Sequence, residues 1–302
     1  MKIGMIGLGR MGANMAERLI GGGHQVVGYA RRPKSVQRVA DKGIMGAYSL
    51  EELIKKLAPP RALWMMIPAG EPVDKTIEGL LPHLDTGDLL IDGGNSYYKD
   101  TMRRSDNLKE KGIGYVDVGT SGGIFGLKEG YSMMVGGEKD EVESLRPLFE
   151  TLAPSLDTGW GHVGPSGSGH FVKMVHNGIE YGLMQAYSEG FSILKHKEEF
   201  GLDLSQIAGI WRHGSVVRSW LLDLTFEALR ENPELKGIAP YVEDSGEGRW
   251  TVFESIDLDV AAPIISLSLL SRFLSRDKEN FSDKLLSAMR NKFGGHEIKR
   301  KD

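Results

Sequence analysis

The chain has 302 residues, 40% of them apolar, with a formal net charge of −4. That length favours two domains over one, and so small a net charge suggests no polyanion partner. With no cysteine, disulfide frameworks and thiolate metal sites are excluded, and a cytoplasmic setting is expected. The opening MKIGMIGLG passes straight into a strand pattern with no leader, and no stretch approaches membrane-spanning length.

Lys2 to Ile6 reads as a short apolar strand. Gly7-Leu8-Gly9-Arg10-Met11-Gly12 follows at once and opens a helix through Ala16, Leu19 and Ile20; a second strand runs from Gln25 to Tyr29. Strand, Gly-x-Gly-x-x-Gly, helix and strand in this order make a dinucleotide-binding βαβ unit. Gly7 serves the tight turn, Gly9 lets backbone approach a pyrophosphate, and Gly12 lets helix and strand pack closely. The helix N-terminus then offers free N–H groups to the phosphates. The second strand ends in Tyr29-Ala30-Arg31-Arg32-Pro33. No acid stands there to hold ribose hydroxyls, and two guanidinium groups suit a 2′-phosphate. NADP is therefore favoured over NAD.

Further strands are expected at Ala62 to Ile67, Asp88 to Asp92, Val116 to Gly119 and Ser132 to Val135, with helices at Leu50 to Leu57 and Val73 to His83 between them. This alternation predicts a Rossmann-type doubly wound α/β sheet over residues 1–164. Ligands in such sheets bind beyond the strand carboxyl ends. The loops Pro68-Ala69-Gly70, Asp92 to Ser96 and Thr120 to Gly123 are thus expected to face one crevice.

Residues 165–302 read as an all-helical domain for substrate and self-association. Helices are expected at His170 to Lys197, Leu204 to Trp211, Val216 to Arg230, Pro263 to Ser275 and Ser282 to Asn291, with a polar loop from Tyr241 to Trp250. The first of these carries Lys173, His176, Asn177, Glu180 and Tyr181 as one polar stripe among residues apolar nearly all round, the pattern of a buried helix. A buried amine and a buried carboxyl group are costly unless used, and together they suit acid–base chemistry. Burial is expected to lower the lysine pKa and raise that of the glutamate, matching a base and an acid in two separate proton transfers. No histidine pair stands among carboxylates at metal-ligand spacing, so no metal is expected.

The runs IDGGNSYYKDTMRR (91–104), TSGG (120–123), GHFVKMVHNGIEYG (169–182) and RNKFGGH (290–296) resemble the decarboxylating 6-phosphogluconate dehydrogenases, in their shorter form, across nearly the whole chain. The resemblance implies oxidative decarboxylation of 6-phosphogluconate to ribulose 5-phosphate and CO2 in the pentose phosphate pathway. It implies Lys173 as general base on the C3 hydroxyl and Glu180 as general acid toward the enediol. It places Asn95, Ser121, Gly122, Gly123, His176 and Asn177 on the sugar acid, and Tyr181, Arg249 and Arg272 on its phosphate. Arg290 and His296 correspond to residues reaching the phosphate from a neighbouring subunit, which implies a homodimer or homotetramer. Gly7 to Gly12, Ala30, Arg31, Arg32, Ile67, Pro68, Ala69 and Asn95 are implied on the cofactor. Arg249 stands where longer members use lysine. Short members often prefer NAD and carry an acid at the position of Ala30.

Two alternatives remain open on the sequence. Another β-hydroxyacid dehydrogenase acting on a different anionic 3-hydroxy acid would share Lys173 and Asn177. It would leave Glu180 and the cations Arg249, Arg272, Arg290 and His296 without a use. A non-catalytic NADP-binding protein would have no reason to keep both Lys173 and Glu180. Nucleic-acid and membrane partners find no support. Of the remaining residues, His170 reads as a polar helix-start group, the five tryptophans as core or interface, Met133 and Met134 as core strand, and Lys99, Arg103 and Arg104 as an exposed helix face.

Overall fold

The computed structural model describes residues 1–300; Lys301 and Asp302, the end of the expected charged tail, lie outside the described residues. The chain divides into two compact units, Met1–His176 and Asn177–Asp302.

In the first unit the elements run β1 (Lys2–Ile6), α1 (Arg10–Gly21), β2 (Gln25–Tyr29), α2 (Pro33–Gln37), β3 (Met45–Ala47), α3 (Leu50–Lys55), β4 (Ala62–Met65), α4 (Glu71–Leu80), β5 (Leu89–Asp92) and α5 (Tyr98–Lys109). They continue with β6 (Gly114–Ser121), α6 (Gly126–Glu129), β7 (Ser132–Gly136), α7 (Lys139–Ser144), α8 (Arg146–Leu152) and β8 (Trp160–Gly164). One sheet holds all eight strands in the order β3-β2-β1-β4-β5-β6-β7-β8. All neighbours are parallel except β6 and β7, which are joined by a short antiparallel connection. The change of strand order beside β1 creates the crevice at the strand carboxyl ends.

Side chains alternate between the two faces of a strand. Ile3, Met5, Trp64 and Val116 therefore join one buried cluster, with Phe149 of α8 packed in it, while Ile6, Val27, Leu63, Met65 and Leu90 join the other. Burial on both faces is why β4 (ALWM) is apolar throughout rather than alternating. Trp64 is fully buried, lies edge-on to Phe149 at 6.0 Å, and donates its indole N–H to Met66 Sδ at 3.3 Å. Strands β3 and β8 escaped the sequence reading. The first is three residues long, and the second, WGHVG, is partly exposed and rich in glycine.

The second unit is helical. Helix α9 (Ser168–His196) runs unbroken across the boundary and is followed by α10 (Leu204–Trp211), α11 (Trp220–Glu231), α12 (Glu247–Asp257), α13 (Pro263–Arg276) and α14 (Phe281–Gly294). The core of this unit is small: Phe191, Ala208, Leu222 and Leu229, with Tyr187, Leu194, Trp211 and Phe226 packed against it. Two expectations are corrected. Helix α9 is not buried all round, because Val172, Ile179, Leu183, Met184 and Ile193 form an exposed apolar stripe. The supposed loop 241–250 already turns helical at Glu247, where Gly246 (φ 102) supplies the left-handed entry. Trp220, read as core or interface, is exposed in the single chain.

Candidate active site

The nucleotide-facing end of the first unit is assembled by the turns that follow β1, β2, β4 and β5. Gly7 N–H donates to Tyr29 carbonyl at 2.8 Å, Met66 N–H to Ile6 carbonyl at 2.7 Å, and Gly93 N–H to Met65 carbonyl at 2.9 Å. These bonds bring Gly7 to Gly12, Ala30, the Ile67-Pro68-Ala69 segment and Asn95 to one end of the sheet. The glycines differ as their positions require. A Cβ on Gly12 would fall 2.0 Å from the Gly7 carbonyl oxygen, so helix α1 can start against the strand only with glycine there. A Cβ on Gly9 would meet no protein atom within 4 Å. The space before it is open, as a cradle for a pyrophosphate requires, with the N-terminus of α1 behind it. Arg31 and Arg32 are exposed at the end of β2, and Ala30 is half-buried. Arg38, which sequence reading missed, donates to the Leu8 carbonyl at 2.8 Å and braces the glycine turn.

Lys173 is placed by backbone contact. A Cβ on Gly119 of β6 would lie 2.4 Å from Lys173 Cβ and 2.6 Å from the Gly169 carbonyl oxygen. The first turn of α9 therefore lies directly on the strand, and Lys173 is only 6% exposed. Its Nζ lies 3.3 Å from His176 Nδ1. Ser121 closes β6 and is half-buried, Gly122 (φ 130) and Gly123 (φ 52) turn the chain away, and Asn95 is exposed on the neighbouring loop.

Beneath these groups lies a buried polar network. Asp92 accepts from Gly94 N–H (3.1 Å), Ser96 Oγ (2.7 Å) and Tyr115 hydroxyl (3.0 Å), which fixes the start of the Asn95 loop. Burial and the adjacent Asp92 push the Tyr115 hydroxyl well above its usual pKa, so it remains a donor. Asp117 of β6 accepts from Gly167 N–H (2.7 Å) and His170 N–H (2.8 Å), satisfying donors at the start of α9 that the helix itself leaves unpaired. His170 is 2% exposed. Its Nε2 meets the Asp92 carbonyl at 3.1 Å and must donate, so in the neutral ring Nδ1 accepts from Thr101 Oγ1 at 2.7 Å. His170 does stand at the start of α9, as expected, and it also ties that helix to β5 and α5. Arg104 corrects expectation. It is 2% exposed, binds both oxygens of Asp74 at 2.9 and 3.0 Å, and donates to the Gly70 carbonyl at 3.1 Å, clamping the loop after β4. A polar residue inside an apolar strand run, as Asp117 is in YVDVG, was the available signal for this network.

In the second unit, Asn177 and Tyr181 are buried and Glu180 is half-buried. The Tyr181 ring lies under the Arg272 guanidinium at 3.6 Å, and its hydroxyl accepts from Ser245 N–H at 3.2 Å. Arg249, in the first turn of α12, binds both oxygens of Asp244 at 2.8 and 3.1 Å. The structure thus gathers Tyr181, Arg249 and Arg272 around one short segment. Arg290 lies exposed on α14 and His296 exposed just beyond it. Among the described residues no group of three or more histidine or acidic side chains is placed to hold a metal ion, and no helix is long and apolar enough to cross a membrane.

Comparison with known proteins agrees with this geometry. Residues 2–161 match the NAD-binding domain of 6-phosphogluconate dehydrogenase, and residues 169–283 match its C-terminal domain. The NAD(+)-dependent, decarboxylating 6-phosphogluconate dehydrogenase of Haloferax volcanii is 44% identical over 303 residues, covering 100% of both chains. The NADP(+)-dependent, decarboxylating enzyme of Bacillus subtilis is 40% identical over 292 residues, but only 62% of its length is covered. Among solved structures, 6-phosphogluconate dehydrogenase of Plasmodium falciparum, described with NADP+ and with 6-phosphogluconate, superposes with a TM-score of 0.84 at 31% identity, over 100% of this chain and 66% of that one. The motifs, the two-part fold and these full-length matches together make the chain a member of the 6-phosphogluconate dehydrogenase family, on the scale of its shorter representatives.

Proposed function

We propose that this chain oxidatively decarboxylates 6-phosphogluconate to ribulose 5-phosphate and CO2. Residues 1–164 hold the cofactor and residues 165–302 the substrate and subunit contacts. Gly7 to Gly12, Arg31, Arg32 and the Ile67-Pro68-Ala69 turn hold the nicotinamide nucleotide, which when bound accepts the hydride from C3. Lys173 takes the proton of the C3 hydroxyl as that hydride leaves. The resulting 3-keto acid loses its carboxylate as CO2, and Glu180 delivers a proton to the carbon that becomes C1 of the product. Asn95, Ser121, Gly122, Gly123, His176 and Asn177 orient the sugar acid. Arg290 and His296 reach the phosphate from a second copy. The protein works in the cytoplasm as a homo-oligomer.

The observation that carries this reading is the Arg249–Arg272 cluster around Tyr181. Two guanidinium groups gathered on one short segment suit the dianionic phosphate of 6-phosphogluconate, which a 3-hydroxy acid without a phosphate lacks. Initial rates with 6-phosphogluconate test the proposal, following cofactor reduction and CO2 release together. Equal amounts of both are expected; reduction without CO2 would direct attention to a different hydroxy acid. For the cofactor we favour NADP, because Arg31 and Arg32 stand exposed where an acid would hold ribose hydroxyls. Ala30→Asp is expected to shift the NAD/NADP ratio of kcat/KM at least about tenfold toward NAD, on the scale of one charged hydrogen bond. An unchanged ratio would remove this strand end from cofactor choice.

A further inference from the structure

The cluster around Tyr181 contains a cation that neither the sequence motifs nor the family roles assign. Arg276 lies one helical turn beyond Arg272 on α13 and donates to Asp244 Oδ2 at 2.8 Å. The same carboxylate binds Arg249 on both oxygens. The Asp244 side chain is only 4% exposed, whereas that of Arg249 is 45% exposed. The ring of Phe273 stands between the two guanidinium groups, 4.5 Å from Arg249 and 5.3 Å from Arg276. Arg272 completes the grip on this segment by donating to the Glu243 carbonyl at 2.6 Å. A second buried carboxylate, Glu247, accepts from Ser245 Oγ close by.

Three guanidinium groups therefore share the cluster with two buried carboxylates, leaving one net positive charge. Without Arg276 the cluster would be neutral, and Asp244 would be compensated by Arg249 alone. An arginine that alone neutralises its carboxylate partner has little net attraction left for an incoming dianion. We propose that Arg276 is a specificity-determining positioning residue: it shares the charge of Asp244 from the α13 side, so that Arg249, although bound to both Asp244 oxygens, keeps net positive charge for a phosphate monoester. This rests on reading the cluster as the phosphate end of the substrate site.

The test uses the full chain in its native oligomeric state, with Arg276→Met and Arg276→Lys. Inorganic phosphate serves as a competitive probe against 6-phosphogluconate. Arg276→Met is expected to raise both the phosphate Ki and the KM for 6-phosphogluconate by about 10- to 100-fold, the scale of one charged hydrogen bond. The cofactor KM should not move, kcat should stay within about twofold, and Arg276→Lys should restore most of the loss. A phosphate Ki unchanged in Arg276→Met, with competition intact in the wild type, overturns the role of Arg276 while leaving the phosphate reading standing. If both variants lose kcat and thermal stability together, the residue is only structural and the proposal falls. If phosphate does not compete in the wild type, the phosphate reading and this inference fall together.

Discussion

Lys173 is the side chain we propose as the base. Only 6% of it is exposed, and its amine lies 3.3 Å from His176 Nδ1. Lys173→Met is expected to lower kcat at least about 100-fold, the usual share of a general base, while nucleotide affinity measured by titration stays unchanged. A variant retaining most of its turnover would contradict the base role. At the same scale, Arg104 chiefly holds the Asp74 carboxyl below its usual pKa. A carboxylate depressed in the folded state stabilises the fold above its unfolded value, and that contribution is lost as pH falls through the folded value. Asp74→Asn should therefore lower the melting temperature near neutrality and flatten its decline below the unperturbed value of 3.8. Parallel melting curves for variant and wild type across acid pH would show that this pair contributes nothing.

At the scale of elements, the strand–helix contact at Gly119 is the point where sequence becomes geometry. Helix α9 reaches its position because neither Gly119 nor Gly169 has a side chain. A Cβ on Gly169 would come within 2.5 Å of the Met134 carbonyl oxygen. Gly119→Ala is expected to cost about 1–3 kcal/mol of stability by overpacking and to reduce kcat more than the cofactor KM, since Lys173 must shift. Unfolding curves and steady-state rates on one preparation check both effects; unchanged values for both would show that the contact relaxes freely. The βαβ start was legible because its glycines sit between two strongly apolar strands, and β1 and β2 fell at the expected residues. The Asp117–His170–Asp92 network was not legible. Its members are far apart in sequence and are joined only when β5, β6 and α9 meet. Arg104 read as exposed for the same reason: its partner Asp74 belongs to another helix. Glu247 to Trp250 read as loop because glycine and charge dominate there, although Gly246 in fact starts a helix.

At the scale of the molecule, the two units are unequal in how much apolar surface they cover. The sheet unit buries two large clusters, one on each face. The helical unit leaves many large apolar side chains in the open, Ile193 at 72% and Leu274 at 68% among them. Exposed apolar side chains in such number suggest an interaction surface. Self-association is the economical way to cover it, and the stripe on α9 is where we place part of that contact. Ile193→Glu is expected to shift sedimentation toward the monomer at micromolar concentration, with the wild type remaining associated. An unchanged mass distribution would move the interface elsewhere.

Trp64, fully buried under the turn at Gly93, has a further use. A Cβ on Gly93 would lie 2.1 Å from its indole nitrogen and 2.8 Å from Met66 Sδ, so the ring forms the floor of the turns leading to both Asn95 and Ile67. An indole packed this dry emits at short wavelength and is shielded from aqueous quenchers, while small shifts in the backbone above it alter its brightness. A variant keeping Trp64 as its one tryptophan would thus carry an optical gauge of the turns after β4 and β5, readable without any added label.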